Sequence, residues 1–322
     1  MFDLITIGDA TMDTFLAIDD ATLSCDLNRE HCKLCINYAD KLPITHTGQS
    51  VGGNAANVAV ACQKLGFNTA LVTELGDDIN GLIIKEELEN SGVHTKLVKV
   101  HKGKETRYSV VLHYKSERTI LSYHVKRAYS LPKLPQTKWI YYSSLGSSFE
   151  KLQEKLVAYV KRHPETKLAT NPGSYQIKFG LQTYKKILPL TELLFVNKEE
   201  ATKLVGQRDS IQKTMHALHL LGPRIVALTD GTKGSYASDT KTLYFMEPFP
   251  AKAIARTGAG DAYASGFLSA ILSEETIKTA IQWGSANAGG VIQKFGAQKG
   301  LLTKNQIKQY IKKHSRVVPR VI

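Results

Sequence analysis

No apolar run in these 322 residues approaches the length of a membrane span, so no spanning helix and no membrane partner are expected. The N-terminal Met1-Phe2-Asp3-Leu4-Ile5-Thr6-Ile7-Gly8 lacks a basic region and a cleavage-type site, and it reads as a first β-strand rather than a signal peptide. Cysteine is scarce: Cys25, Cys32, Cys35 and Cys62 are the whole set. Cys32-Lys33-Leu34-Cys35 forms a C-x-x-C with Cys25 and His31 nearby. A second C-x-x-C or a paired-histidine motif is missing, which argues against zinc. The expectation is free thiols in a loop of a cytoplasmic protein. Internal repeats, low-complexity segments and a convincing linker are also lacking, so 1–322 is expected to be a single domain.

Hydrophobic residues make up 43% of the chain, enough for a sizeable core and against bulk disorder. Lys and Arg number 42 against 29 Asp and Glu, a formal net charge of +13. Such a balance suits an acidic small ligand such as a nucleotide. The basic residues are spread out, and the one dense cluster, Lys304 to Arg320, reads as the solvated face of a last helix and a tail. With no recognisable binding motif, nucleic acid is not an expected partner.

The stretch Ala255-Arg256-Thr257-Gly258-Ala259-Gly260-Asp261 carries the strongest chemical signal. It runs into Ala262 to Leu272, where Tyr263, Phe267, Leu268, Ile271 and Leu272 recur at helical spacing. The glycines therefore stand where a loop becomes a helix. Gly258 and Gly260 allow close approach to a main chain whose first N–H groups have no internal partner, a setting that favours an anion. A carboxylate beside an anion site is electrostatically awkward unless it has work to do. For Asp261 that work is taking a proton from a hydroxyl that attacks a phosphate. The alternative is an ordinary glycine turn with a first-turn acid. The stretch is not a Walker A loop, since no Gly-Lys-Ser/Thr follows. Nor is it a dinucleotide fingerprint, because Tyr263 stands where a third glycine should be.

Elsewhere strands alternate with helices. Strands are expected over 2–7, 69–73, 139–143, 167–170, 192–196 and 224–228, and helices over 150–162, 211–221, 277–295 and 304–313. This alternation predicts an α/β fold with a mainly parallel sheet covered on both faces. Residues 107–114 and 118–123 alternate apolar and polar about Lys115-Ser116-Glu117, a half-exposed hairpin that suits an edge or lid. Residues 19–50 are polar with weak periodicity and read in part as an excursion from the main sheet.

Polar clusters fall at the expected strand ends. Asp13 is placed just past the first strand, where such sheets bind ligands; an Asx turn is the other reading. Gly52-Gly53-Asn54-Ala55-Ala56-Asn57 feeds a helix, and Asn57 can donate and accept at once, which suits sugar hydroxyls. Asn197 and Glu200 sit three apart at a helix start, where a carboxylate holds Mg²⁺ directly or through water; a plain N-cap is the alternative. Thr229-Asp230-Gly231-Thr232-Lys233-Gly234 offers a glycine turn that fits a triphosphate, or else a simple β-turn. His216 and His219 read as surface residues.

Together these motifs resemble the ribokinase, or PfkB, carbohydrate kinase family. The resemblance covers nearly the whole chain, from Gly52-Gly53-Asn54-Ala55-Ala56-Asn57 through Gly76-Asp77-Asp78 and Asn197-x-x-Glu200 to Gly258-Ala259-Gly260-Asp261. It implies a three-layer α/β/α sandwich with a small β lid, here drawn from about 14–50 and 105–125. It implies Mg²⁺-dependent transfer of the ATP γ-phosphoryl to a sugar hydroxyl. Asp261 would be the base, and the N–H groups of Ala259, Gly260 and Asp261, following Gly258, would form the anion hole. Asp13, Gly53, Asn54 and Asn57 would hold the sugar. Asn197, Glu200, Thr229, Gly231, Gly234 and Asn287 would serve the nucleotide, with Glu200 reaching Mg²⁺ through water. Family members often carry Asp-Thr where Ala255-Arg256 stands, and that Asp helps bind a monovalent cation. K⁺ activation is therefore not expected, and Arg256 could supply the charge. A nucleoside or phosphosugar acceptor stays open, the latter because Arg107, Arg118, Lys126 and Arg127 cluster on or beside the hairpin; a solvated lid surface is the other reading. An inactive nucleotide- or sugar-binding protein is the rival from another class. A lid edge can pair between subunits, which leaves a homodimer open.

Overall fold

The computed structural model describes residues 1–26, 32–115 and 117–322. His31 and Ser116, which figured in the cysteine and hairpin readings, lie outside them. In chain order, β1 (Phe2–Ile7) runs on through Gly8 to β2 (Thr11–Ile18). The hairpin β3 (Thr22–Cys25) and β4 (Cys32–Cys35) follows, then β5 (Ile44–Gly52), α1 (Asn54–Lys64), β6 (Thr69–Val72) and β7 (Glu74–Gly76). Next come α2 (Ile79–Asn90), β8 (Lys99–His101), β9 (Tyr108–Tyr114) and β10 (Glu117–Tyr123). The second half holds β11 (Thr137–Tyr142), α3 (Glu150–Arg162), β12 (Lys167–Thr170), α4 (Ser174–Phe179), α5 (Leu181–Lys185), β13 (Leu193–Asn197), α6 (Lys198–Val205), α7 (Ile211–His219) and β14 (Ile225–Thr229). The chain then forms β15 (Ser235–Ser238), β16 (Leu243–Met246), α8 (Ala259–Leu272), α9 (Ile277–Val291), α10 (Lys304–Lys313) and β17 (Arg320–Val321).

The main sheet has the order β17-β16-β15-β14-β13-β12-β11-β1-β6. It is parallel from β6 to β14, and β15 to β17 continue it antiparallel. Its strands are apolar throughout because both faces are covered. On one face Ile5, Ile7, Ile140, Leu194 and Val226 pack against Leu152 and Leu156 of α3, Leu204 of α6 and Leu218 of α7. On the other, Leu4, Tyr141, Phe195 and Ala227 meet Val58 of α1, Phe267 of α8, Ile281 of α9 and Ile307 of α10. The result is the three-layer α/β/α sandwich that the alternating pattern implies.

A second sheet, β10-β9-β2-β5, stands off the main one and forms the lid. Strand β2 pairs parallel with β9 and antiparallel with β5. Thr11 to Asp13, read as the polar end of the first strand, belong to the lid strand β2, so the lid begins at Thr11 rather than at about residue 14. Ala10, Thr11 and Met12 are buried against α1 and α2, which holds the chain extended rather than turning it. Asp13 consequently lies inside a lid strand and not just past β1. Asp78 caps α2 by accepting from Gly81 N at 2.9 Å, and it also takes Thr106 N at 2.9 Å, which anchors the lid at its base.

Two expectations change. Cys25 and Cys32 are joined in a disulfide that closes the β3–β4 hairpin, so these two are not free thiols, while Cys35 is free and exposed. His219 is not a free surface residue. Its ring bonds Pro223 O at 2.9 Å and Ser238 Oγ at 2.5 Å, tying α7 to β15. No helix among the described residues is long and apolar enough to cross a membrane.

Candidate active site

The parallel strands point their C-terminal ends toward one edge, and the candidate residues gather there. Asn197 and Thr229 are register partners at the ends of β13 and β14. Beyond β1, Asp9 N donates to Ser144 O at 2.8 Å, which brings the loop after β11 alongside.

Helix α8 begins at this edge. Gly258 is its N-cap in the left-handed region, φ 78°, and a Cβ there would stand 2.5 Å from that of Ala297. Only glycine meets both demands without strain. Ala262 N returns to Gly258 O at 2.9 Å, while the N–H groups of Gly260 and Asp261 have no backbone acceptor among the described residues. A Cβ built on Gly260 would meet nothing within 4 Å. Open space therefore faces unpaired N–H groups at the positive end of a 14-residue helix, which is what an anion requires.

Asp261 is 9% exposed. Burial pushes its carboxyl up to about 6, helped by the charge of Asp13 and opposed by a hydrogen bond from Asn57 and by Arg118. Asn57 Nδ2 donates to Asp261 Oδ2 at 2.8 Å, and Asn57 Oδ1 accepts from Gln298 Nε2 at 3.0 Å. The amide expected to face a sugar thus also grips Asp261.

Glycines make room around Asp13. A Cβ on Gly52 would lie 2.1 Å from Asp13 Oδ2, and one on Gly53, where φ is 95°, would lie 2.3 Å from Asp9 O. Asp13 Oδ1 accepts from Thr11 Oγ1 at 2.8 Å, and burial raises its pKa. Asn54 opens α1 directly after Gly53, its N-cap.

On the other flank, Asn197 and Glu200 form a reciprocal capping box. Asn197 Oδ1 accepts from Glu200 N at 2.8 Å, and Glu200 Oε2 accepts from Asn197 N at 2.9 Å. Burial pushes Glu200 up to about 7, with the charge of Asp261 adding to the shift. Asp261 is thus within electrostatic reach of Asp13 on one side and of Glu200 on the other. Lys198 pairs with Asp230 at 3.0 Å, which links α6 to the turn after β14. In that turn Gly231 and Gly234 have φ 55° and 107°. Asn287 is fully buried away from the turn. It donates to Ala262 O and Ser265 Oγ and accepts from Leu302 N, fastening α8 to α9.

The chain builds no metal cage of its own: no group of three or more His, Cys, Asp or Glu suited to a metal occurs among the described residues. Glu200 has one oxygen in the capping box and one left over. A single carboxylate of this kind fits Mg²⁺ that arrives with nucleotide phosphates and keeps several waters.

Sequence reasoning missed a buried ion pair. Asp9 and Arg107, each with a side chain 6% exposed, are in direct contact. Tyr129 Oη donates to Asp9 Oδ1 at 3.1 Å, and Arg107 Nη2 bonds the His124 ring. Burial and Arg107 push His124 down to about 4, which keeps it neutral at pH 7. The available signal was an acid directly after a buried strand and Gly8. Arg127 is also buried and donates to Leu75 O and Glu105 O, while Lys126 alone of the four basic residues is an exposed lid charge. Arg256, seen in the sequence as a substitute for a cation, instead pairs with Glu117 at the lid tip, 2.8 Å away.

The family model for pfkB family carbohydrate kinases matches residues 12–304. The 5-dehydro-2-deoxygluconokinase of Bacillus subtilis is 25% identical, with 98% of this chain and 97% of that protein covered. The ribokinase of Haemophilus influenzae is 26% identical over 90% of this chain and 97% of its own length. The structure of Arabidopsis thaliana ribokinase complexed with ribose and ATP superposes with a TM-score of 0.76 at 19% identity, covering 97% of this chain and 99% of that one. The chain belongs to the pfkB family of carbohydrate kinases.

Proposed function

We propose that this pfkB-family kinase transfers the γ-phosphoryl of ATP to a hydroxyl of an unphosphorylated sugar, with Asp261 as the base. The observation that carries the reading is the buried Asp261 carboxylate set beside unpaired N–H groups under open space. The acceptor hydroxyl gives its proton to Asp261 as its oxygen bonds the γ-phosphorus. The Gly260 and Asp261 amides receive charge on the travelling phosphoryl, each worth on the order of 3 kcal/mol. Asn57 holds the carboxylate, and Asp13, Gly53 and Asn54 shape the acceptor side. Asn197, Thr229, Gly231 and Gly234 line the nucleotide side, with Glu200 directed at Mg²⁺ through water. Bound there, Mg²⁺ would neutralise phosphate charge. Asn287 acts through helix packing rather than by touching nucleotide. The chain works as one kinase unit under its lid, in the cytoplasm, where ATP is available.

Three of the four basic residues near the hairpin support an unphosphorylated acceptor, and the fourth, Arg118, is left for the phosphoryl that moves. Arg107 is neutralised by Asp9, Arg127 is spent on backbone carbonyls, and Lys126 lies outside. A monovalent cation is not part of the proposal, because Ala255 offers no carboxylate where family members often carry Asp. Strand β10 leaves Ile120, Leu121 and Tyr123 about half exposed at the lid edge, so a homodimer through the lid is part of the proposal. ATP turnover against neutral sugars, nucleosides and sugar phosphates, with and without K⁺, tests the reading. Acceptor-dependent ADP release with a neutral sugar supports it. Activity confined to sugar phosphates, or strict K⁺ dependence, contradicts it.

A further inference from the structure

We propose that Arg118, at the tip of the lid, is a catalytic residue that contacts the γ-phosphoryl in transit and offsets its charge. The inference rests on the kinase reading above. Its starting point is a charge imbalance. Asp261 stands within electrostatic reach of both Asp13 and Glu200, and a nucleotide triphosphate would bring more negative charge beside them.

Several arginines stand near, but the others are committed. Arg107 is held by Asp9 and His124, Arg127 by two carbonyls, and Arg256 by Glu117. Arg118 has no hydrogen bond or ion pair among the described residues, and its Nε is buried without a partner. The lid places this uncommitted cation. Arg118 stands opposite His113 in the β9–β10 register. His113 in turn is the register partner of Ala17, on the same strand as Asp13 and four residues further along. With the alternation of strands, Asp13, Ala17, His113 and Arg118 share one face of the lid, the face that carries Asp13 to the acceptor. The neighbouring Glu117 pairs with Arg256, five residues before Asp261, which draws the hairpin tip onto the loop that leads into α8. Arg118 lies close enough to Asp261 that each favours the other's charged form.

An arginine suits the task, because a planar guanidinium donates to two phosphoryl oxygens at once and keeps its charge when partly buried. In the step, the acceptor oxygen bonds the γ-phosphorus and the bond to the β–γ bridging oxygen breaks. ADP leaves with that electron pair, and the acceptor proton passes to Asp261. Arg118 changes no covalent bond.

The test compares wild type with Arg118→Met and Arg118→Lys. Steady-state kinetics should show kcat of the Met variant lower by about 10²–10³-fold with ADP affinity within about threefold of wild type. The Lys variant should fall between, and added guanidinium should restore part of the Met variant's rate. A Met variant whose kcat stays within about threefold of wild type overturns the assignment. So does a loss that guanidinium does not relieve in a variant that still binds ADP. A second measurement needs no acceptor. Fluoroaluminate should tighten ADP–Mg²⁺ binding in wild type at least about tenfold more than in Arg118→Met, and equal tightening overturns Arg118 even if no acceptor on a panel is used. Nucleotide binding without transfer to any acceptor would instead sink the kinase reading.

Discussion

Asn57 Nδ2 donates to Asp261 Oδ2 over 2.8 Å, a bond that joins residues 204 positions apart. It fixes the carboxylate against α1 and favours its charged form, since a donor to a carboxylate lowers its pKa. Removing the donor should raise that pKa further. In Asn57→Leu the acid limb of kcat/KM, expected near pH 6 in wild type, should move up by about one unit, with roughly fivefold less activity at pH 6. A pH–rate profile with an unmoved limb would show that Asn57 does not act on Asp261.

The same buried acid costs stability. Folded Asp261 keeps its proton up to about pH 6, whereas its unfolded reference is 3.8. Between these values the folded state binds more protons, so stability falls as pH rises through the window, and the cost is complete above it. Asp261→Asn removes the charge and should be the more stable protein at pH 8, by about 3–5 °C in Tm, with the gap closing toward pH 4. Thermal melts at the two pH values check this. A gap that widens on acidification would reverse the sign of the argument.

Two glycines in one loop should answer differently to a methyl group. Gly258→Ala forces φ 78° on a residue with a Cβ and drives that Cβ to 2.5 Å from Ala297, which should cost about 1–3 kcal/mol of stability. Gly260→Ala meets nothing within 4 Å and sits in a helical turn, so its Tm should match or exceed wild type. Its kcat should nevertheless fall at least tenfold, because the methyl enters the space kept for phosphate. Unimpaired kinetics in Gly260→Ala would remove the anion from that position.

Arg127 is assigned to structure. Its bonds to Leu75 O and Glu105 O are buried, and Arg127→Met should cost about 2–4 kcal/mol in denaturant unfolding. The preference for a neutral sugar over its phosphate should stay unchanged. A selective loss of sugar-phosphate use would instead make Arg127 a substrate ligand.

Much of the sheet was legible because buried parallel strands and amphipathic helices leave strong periodic patterns. Helices α3 and α10 and strand β12 have the bounds that the sequence spacing predicts. The lid was less legible. Its strands β2 and β5 carry only short apolar runs, so the sequence marks a lid over about 14–50 but no separate strands at 11–18 and 44–52. Strands β15 and β16, four residues each, were missed because they are too short to show a period. Local motifs pointed to Asp261, but pairings between distant segments leave no local pattern. Asn57 with Asp261, Asp9 with Arg107, and Glu117 with Arg256 are each set by tertiary packing. A capping box and a metal-directed acid also look alike in sequence at Asn197 and Glu200, and in the folded chain the capping box is formed while the second Glu200 oxygen takes no part in it.

The measurement closest to the central claim is acceptor-dependent ADP release by wild type beside Asp261→Asn, with ATP binding followed in parallel. The expected result is turnover in wild type with a neutral sugar, lower by about 10²–10⁴-fold in the variant, and ATP bound by both. A variant that turns over like wild type would contradict the assignment of Asp261 as the base.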